Sequence, residues 1–153
     1  MDLSMSWLKD YVDIDVDIKD FVEDITLTGS KVEGWSEIGG ELSGIVTGKV
    51  LKIEKHPNAD RLVICTVDIG KDEPLIIVTH APNVFEGAYV CVALDGATLA
   101  GGIEIHDTDF RGVMSYGMMC SVEEMGFDRH DFPEAPENGI YIFENEVPLG
   151  KDV

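Results

Sequence analysis

The spacing of apolar residues predicts helices in the first forty residues. In residues 4–12, Trp7, Leu8, Tyr11 and Val12 recur so that they form one apolar stripe on a helix. Two short amphipathic helices cannot bury each other's apolar faces fully, so we expect this segment to need a further partner surface.

A second helix is predicted to start after Asp17, whose side chain is suited to an N-cap. Asp20, three residues on, favours the positive end of the helix, and Gly29 supplies a left-handed stop. The apolar face of this helix would consist of Phe21, Val22, Ile25 and Thr28.

From Gly44 onward the pattern becomes that of short strands rich in β-branched residues, separated by Gly, Pro, Asn or Asp. The runs are GIVTGKVLKIE, LVICTVDIG, PLIIVTH, AYVCVAL and GIEIHDTDF. They follow one another too closely for crossover helices, which predicts a small antiparallel barrel or sandwich.

The last thirty residues mix a helical signal with a strand. Ser121 and Glu124 have the spacing of a capping box, and Gly126 stands where a short helix would end. An acidic, proline-containing loop follows in residues 128–138, and GIYIFENE predicts a final strand over 139–146.

Composition narrows the class of protein. The 153 residues are 44% hydrophobic, which is too apolar for a disordered acidic tail. No apolar run is long enough for a membrane span, and the N-terminus has acids where a signal peptide has bases. We therefore expect a cytoplasmic protein with no membrane partner.

The net charge of −19 opposes contact with nucleic acid, but it is unevenly distributed. Residues 1–40 carry ten acids and three bases, and residues 122–153 carry nine acids and two bases. Within residues 45–61 the sign is reversed, since four bases outnumber two acids. A local surface for phosphate is therefore compatible with the overall acidity.

The cysteines predict buried thiols in a reducing compartment. Cys65 and Cys91 lie in apolar strand-like runs, Cys120 is a third, and no C-x-x-C pair occurs. A zinc site would need the histidines to join them, and no pair has a ligand spacing. We predict no metal site; the histidines concerned are His56, His80, His106 and His130.

Catalytic motifs do not emerge from the sequence. It contains no Walker loop, no G-x-G-x-x-G, no nucleophile elbow and no H-E-x-x-H. Paired carboxylates could form a hydrolytic site, but thirty acids spread along the chain are better explained as solvated surface. An enzyme within these residues alone is the least favoured class.

The sharpest local motif is KHPNADRL at residues 55–62, between two strand-like runs. Its proline, Asn58 and Asp60 are typical of a turn. That interpretation leaves His56 and Arg61 free, and both are hydrogen-bond donors suited to phosphate or a base edge.

Two further motifs follow. In APNV at residues 81–84, Asn83 is typical of a turn. In RGVMSYGMMCS at residues 111–121, two glycines allow close backbone approach, while Arg111 and Ser115 add polar groups. Core packing is the favoured interpretation of the methionines in this motif.

Together these motifs carry a resemblance to a known family. The segments are SWLKDYVDI (6–14), LTGSKVEG (27–34), HPNADRLVICTVDIG (56–70), APNV (81–84), ALDGATLAGGIEI (93–105) and RGVMSYGMMCSVEEMG (111–126). In this order the chain resembles the N-terminal part of bacterial phenylalanyl-tRNA synthetase beta subunits. Residues from about 40 to 150 also resemble the tRNA-binding domain of the endothelial-monocyte-activating-polypeptide type.

The resemblance implies a mainly β fold with a short helical segment. It implies an OB-fold, a five-stranded Greek-key barrel, over residues 41–150. Residues 1–40 would be the first half of a split α+β domain, and residues 151–153 the start of the next segment. The family's subunit is several times longer, so the chain would be a fragment or, as an alternative, a small independent protein.

The resemblance also implies a role in aminoacylation without catalysis. In the family, charging occurs on the alpha subunit of an α2β2 assembly that uses ATP and magnesium, so no cofactor is expected in this fragment. The implied partners are tRNA, the alpha subunit and the remaining beta-subunit domains. The implied RNA-contacting residues are His56, Asn58, Arg61, Asn83, Arg111, Ser115 and Ser121, with Lys49, Lys52 and Lys55 for phosphate.

Two functional classes remain open beside the free-standing enzyme. One is a noncatalytic, auxiliary tRNA-binding module with little dependence on base sequence. The other is an assembly module that makes protein contacts within the synthetase, which the net charge and the unpaired helical face favour. Departures from the family at His80, Asp95 and Ala100 affect loops beside the presumed groove.

Overall fold

The computed structural model describes residues 3–36 and 41–153, which form two compact units. The predicted domain boundary after residue 40 falls at residues 37–40, outside the described part of the chain. Neither α-helix in the described ranges has the length and apolar character needed to cross a bilayer.

The first unit contains two short helices, and local capping explains both. Helix α1 spans Met5–Lys9 and is capped by Ser4, whose Oγ accepts the N–H of Trp7 at 3.4 Å. Helix α2 spans Ile18–Leu27, and Asp17 Oδ1 accepts the N–H groups of Lys19 and Asp20 at 2.8 and 3.0 Å. The predicted N-cap of α2 at Asp17 is therefore confirmed.

The predicted end of the second helix is confirmed as well. Gly29 has φ +112°, and its N–H donates to the carbonyl of Thr26 while Ser30 N–H donates to that of Ile25. This pair of bonds satisfies carbonyls at the end of α2 in the manner of a Schellman motif. No residue of either helix is buried.

The second unit is built on one curled antiparallel sheet. Its strands are β1 (Ser43–Lys55), β2 (Val63–Asp68), β3 (Leu75–Thr79), β4 (Tyr89–Leu99), β5 (Ile103–Glu104), β6 (Thr108–Phe110), β7 (Val113–Ser115), β8 (Met118–Met119) and β9 (Ile142–Phe143). The order in the sheet is β3-β2-β1-β4-β5, with β8 and β9 also paired to β4, while β6 and β7 form a separate hairpin.

The long first strand serves two neighbours. Its first half pairs with β4, where Thr47 faces Cys91, and its second half pairs with β2, where Ile53 faces Cys65. The sheet curls until the segment after β7 meets β3, since Tyr116 N–H donates to the carbonyl of Ile76 at 2.8 Å. The walls thus run β1, β2, β3, β7–β8, β4, which confirms the predicted mainly β, OB-type fold.

The interior of the barrel is apolar and contains the thiols. One cluster of buried side chains includes Val50, Val67, Ile77 and Val90, and a second includes Cys91 and Cys120. All three cysteines are free and buried. Burial raises the pKa of Cys65 to about 11 and the pKa values of Cys91 and Cys120 to about 12, so the thiols stay protonated at neutral pH.

Three predicted elements differ from those observed. The run at 102–110 is two strands in different sheets, because Ile105 exchanges hydrogen bonds with Gly96 and Ala97 and the chain turns there. The predicted helix after Ser121 is one turn, although the capping box with Glu124 is formed, at 2.7 and 3.2 Å. The predicted strand at 139–146 is reduced to β9.

The last six residues lie along the first half of β1. Thr47 N–H donates to the carbonyl of Lys151 at 2.9 Å, and Gly150 N–H donates to that of Thr47 at 2.8 Å. Val153 N–H donates to the carbonyl of Ile45 at 3.1 Å. These bonds satisfy backbone groups of β1 on the side that β4 leaves open.

Candidate nucleic-acid interface

Two loops that are distant in sequence meet at one end of the barrel. The β1–β2 loop, residues 56–62, lies against the turn of the β6–β7 hairpin, residues 110–112; together they are called the corner. OB-folds bind oligonucleotides with the loop between the first and second barrel strands and the loop between the fourth and fifth, which here are β1–β2 and the connection from β4 to β7. The corner joins the two loops in those positions.

His56 connects the two loops through its ring. The imidazole is 5% exposed, Nδ1 accepts the backbone N–H of Asn58 at 3.1 Å, and Nε2 lies 2.6 Å from the carbonyl oxygen of Phe110. Because Nδ1 acts as an acceptor, Nε2 carries the proton and donates to that carbonyl. The ring is therefore fully hydrogen-bonded within the protein.

A second pair of bonds joins Asn58 and Arg111. Asn58 Nδ2 donates to the carbonyl of Arg111 at 2.9 Å, and one guanidinium nitrogen of Arg111 donates to the carbonyl of Asn58 at 3.2 Å. The His56 and Asn58 bonds to residues 110 and 111 are together called the clasp.

The hairpin turn in the clasp has a left-handed backbone. Phe110 pairs with Val113, so Arg111 and Gly112 form a two-residue turn, with φ +52° and +95°. Positive φ at both positions is the type I′ arrangement, which favours Asn or Gly at the first. Arg111 is the one non-glycine residue with positive φ in the described ranges.

Three exposed cations lie in the corner or directly before it in sequence. Lys55, Arg61 and Arg111 are exposed, and none of the ion pairs found in residues 3–36 and 41–153 involves them. Within the two loops, Arg61 and Arg111 are accompanied by one acid, Asp60, while Lys55 and the acid Asp109 are their immediate neighbours in sequence. The corner thus has a local positive excess on a strongly acidic chain.

The β6–β7 hairpin that carries Arg111, together with the residue after it, also has exposed apolar side chains. Phe110, Met114 and Tyr116 are exposed at 37%, 39% and 45%. Exposed aromatic rings beside cations suit the stacking of unpaired bases together with contact to phosphate. The chemistry of these side chains therefore suits noncovalent binding of single-stranded nucleotides without specificity for a particular base.

Two of the predicted phosphate-binding lysines lie elsewhere on β1. Lys49 is half-buried with its ammonium 5.1 Å from the centre of the Tyr89 ring, and it precedes Lys55 by six residues, about 20 Å of strand. Lys52 forms an ion pair with Glu54 at 3.0 Å. Of the predicted lysines, Lys55 therefore lies at the corner.

The remaining predicted contact residues form internal hydrogen bonds. Asn83 pairs through its amide with both backbone groups of Ile140, at 2.8 and 3.1 Å. The buried Ser115 hydroxyl accepts the N–H of Val78 and donates to the carbonyl of Gly117. Ser121 belongs to the capping box.

Sequence reasoning missed the backbone partners in the corner. The carbonyls of Phe110 and Arg111 accept the clasp bonds, and neither has a side-chain signature. An Arg-Gly pair between two short strands is a turn signal, but it does not show which loop the turn meets.

The described residues offer no candidate metal site. Within residues 3–36 and 41–153, no three His, Cys, Asp or Glu side chains are placed to hold an ion together.

Comparison with known proteins agrees with the geometry. Residues 45–152 match a family model described as a tRNA binding domain. The match includes both loops of the corner and most of the barrel.

The curated relatives are longer proteins. The chain is 48% identical over 153 residues to the phenylalanine–tRNA ligase beta subunit of Clostridium acetobutylicum, covering 100% of this chain and 19% of that one. It is 46% identical over 150 residues to that of Staphylococcus haemolyticus, covering 98% and 19%. The chain thus spans about one fifth of the length of these relatives.

Among solved structures, the chain is similar to a MetRS related protein from Pyrococcus horikoshii. The identity is 24%, the TM-score is 0.49, and the match covers 71% of this chain and 87% of that one.

Proposed function

Because this chain belongs to the tRNA-binding-domain family, we propose that it is a noncatalytic tRNA-contacting module of a phenylalanine–tRNA ligase beta subunit and that the corner meets the RNA. The observation that supports this most directly is the meeting of the loop 56–62 with the turn 110–112, because these loops carry the exposed Arg61 and Arg111 and the exposed Lys55 directly precedes the first of them. Both loops lie within the matched residues 45–152.

Charge and shape predict the character of the binding. Three cations on a chain of net charge −19 can neutralise a few phosphates but cannot hold a long duplex. Aromatic rings beside them accept any base. We therefore expect weak, local contact with little base specificity, auxiliary to recognition by other parts of the synthetase.

A salt-dependent titration with tRNA tests the proposal. If three cations contact phosphate, the logarithm of the affinity should fall against the logarithm of salt concentration with a slope of about 2 to 3. Absence of binding to tRNA in about 50 mM salt would contradict the proposal for this chain.

Charge variants locate the surface. The triple variant Lys55→Glu, Arg61→Glu, Arg111→Glu should bind at least about a hundredfold more weakly, because three attractions become repulsions. For a single charge reversal, Arg61→Glu alone should weaken binding, and its control Lys71→Glu, at an exposed lysine in the turn at the opposite end of β2, should leave the affinity unchanged. Equal losses in both single variants would show that the corner is not the RNA surface.

A second candidate function, assembly within the synthetase, rests on a different observation. In the first unit, Trp7, Tyr11 and Leu27 are 52%, 72% and 78% exposed. Large exposed apolar side chains at this density favour protein contacts. Co-elution with an alpha subunit, combined with no tRNA binding, would favour this function over the first.

Catalysis is assigned to the rest of the enzyme. We propose that ATP and magnesium act on the alpha subunit of an α2β2 assembly and that this chain holds neither. Mixed with phenylalanine, ATP and tRNA, the chain alone should produce no charged tRNA. Measurable charging would overturn this assignment.

A further inference from the structure

We propose that His56 and Asn58 are positioning residues: they hold Arg111 in the left-handed turn that presents its guanidinium to RNA, and they do not contact RNA themselves. This inference rests on the proposed function of the corner. His56 and Asn58 would then position the turn, while the neighbouring cations would contact the RNA.

The hydrogen bonds of His56 leave its ring no capacity for a ligand. Nδ1 accepts from Asn58 N–H and Nε2 donates to the carbonyl of Phe110 at 2.6 Å, while the residue is 5% exposed. An imidazole has two nitrogens, so both are used inside the protein. Its role is therefore to tie the loop 56–62 to the turn.

Asn58 acts on the next residue of the turn. Its amide donates to the carbonyl of Arg111 at 2.9 Å, so consecutive carbonyls, 110 and 111, are held by the same loop. Arg111 returns one N–H to the carbonyl of Asn58 at 3.2 Å. A guanidinium has five N–H donors, so several remain available to phosphate.

The turn itself explains why the clasp is needed. Arg111 has φ +52°, a conformation that a residue with a Cβ rarely adopts and that Asn or Gly would accept more readily. Such a backbone persists where surrounding contacts enforce it, and it is common at functional sites. An arginine at a position that suits Asn or Gly better is best explained by what its side chain does at the tip.

A double-mutant cycle on tRNA affinity tests the inference. Asn58 is exposed, so Asn58→Ala removes the clasp bond with little risk to the fold. In the protein with Arg111 intact, Asn58→Ala should weaken tRNA binding about threefold to tenfold. In the Arg111→Gln background it should have no effect, because Asn58 acts through Arg111. Additive losses would overturn the proposal.

A control cycle and two histidine variants complete the test. Asn58→Ala and Arg61→Gln should be additive, since no clasp bond reaches Arg61. His56→Gln can still donate to the carbonyl of Phe110 and should stay within about twofold of wild type, whereas His56→Ala should match Asn58→Ala. Equal losses in both histidine variants that persist in the Arg111→Gln background would show direct RNA contact by His56.

An experiment without RNA separates this inference from the proposed function. NMR of the wild-type chain should show the Nε2–H tautomer of His56 and an ordered Arg111 Nε–H, whose order falls in Asn58→Ala. If tRNA does not bind, the proposed function fails, and this measurement still decides the clasp. An Arg111 signal of unchanged order in the variant would overturn the clasp.

Discussion

The two units of the chain differ in what specifies them. In residues 3–36, neither helix has a buried residue. The helix ends are fixed by Ser4, Asp17 and Gly29 or the residue after it, through hydrogen bonds to residues a few positions away in sequence. In residues 41–153, side chains such as Ile77 and Val90 are fully buried, and hydrogen bonds join residues more than fifty positions apart. One unit is specified locally and the other by tertiary packing.

Stability is not shared equally between the two units. Helices of five and ten residues are marginal in water without a packed face, so the first unit depends on a surface beyond its own helices. The barrel has its own core and can hold two loops rigidly in the corner.

The largest effect is expected from a cavity in the barrel. Ile77 is fully buried, and Ile77→Ala should lower the free energy of unfolding by about 3 kcal/mol. Urea unfolding followed by far-ultraviolet circular dichroism measures it. Both tryptophans, Trp7 and Trp35, lie in the first unit, so their fluorescence should not report the change.

The control for this variant is Leu51→Ala. Leu51 is 47% exposed on the same sheet, so the free energy of unfolding should change by less than about 0.5 kcal/mol. A tryptophan transition that shifts together with the barrel in Ile77→Ala would break the contrast, because it would show one cooperative unit.

A smaller effect is expected at Ser115. Its buried hydroxyl satisfies the N–H of Val78 and the carbonyl of Gly117, so Ser115→Ala should lower the free energy of unfolding by about 2 kcal/mol. Ser43→Ala, at an exposed position of β1, is the control. Unchanged stability with weaker tRNA binding would instead assign Ser115 to RNA contact.

The smallest effect is expected in the first unit. Asp17→Ala removes two N-cap bonds and should destabilise helix α2 by about 1 kcal/mol. Ellipticity at the helical band should fall while the barrel transition stays in place. Asp15→Ala, an exposed acid without a cap bond, should change neither, and a shift of the barrel transition in Asp17→Ala would contradict this prediction.

The same contrast explains what could be predicted from the sequence. Asp17 and Gly29 predict the ends of the second helix, because capping depends on residues close in sequence. Runs rich in β-branched residues predict the strands. The break after Glu104 was not visible, because it depends on bonds from Ile105 to Gly96 and Ala97. The length of a strand depends on partners that its own residues do not reveal.

The candidate site was only partly predictable for the same reason. His56, Asn58 and Arg111 stand in motifs that a turn or an RNA contact would explain equally. Burial of the His56 ring and its bond to Phe110 come from a residue 54 positions away. A local pattern can identify polar residues at a loop, but tertiary contacts decide which of them face inward.

The clasp joins the two loops through backbone atoms of the hairpin turn. Its bonds from His56 and Asn58 end on the backbone carbonyls of residues 110 and 111, not on side chains. These two bonds therefore do not depend on which side chain stands at position 111, although the positive φ there favours Asn or Gly. Substitutions to such residues should therefore change the side chain at the tip while the two loops stay joined, which makes position 111 a place for engineering.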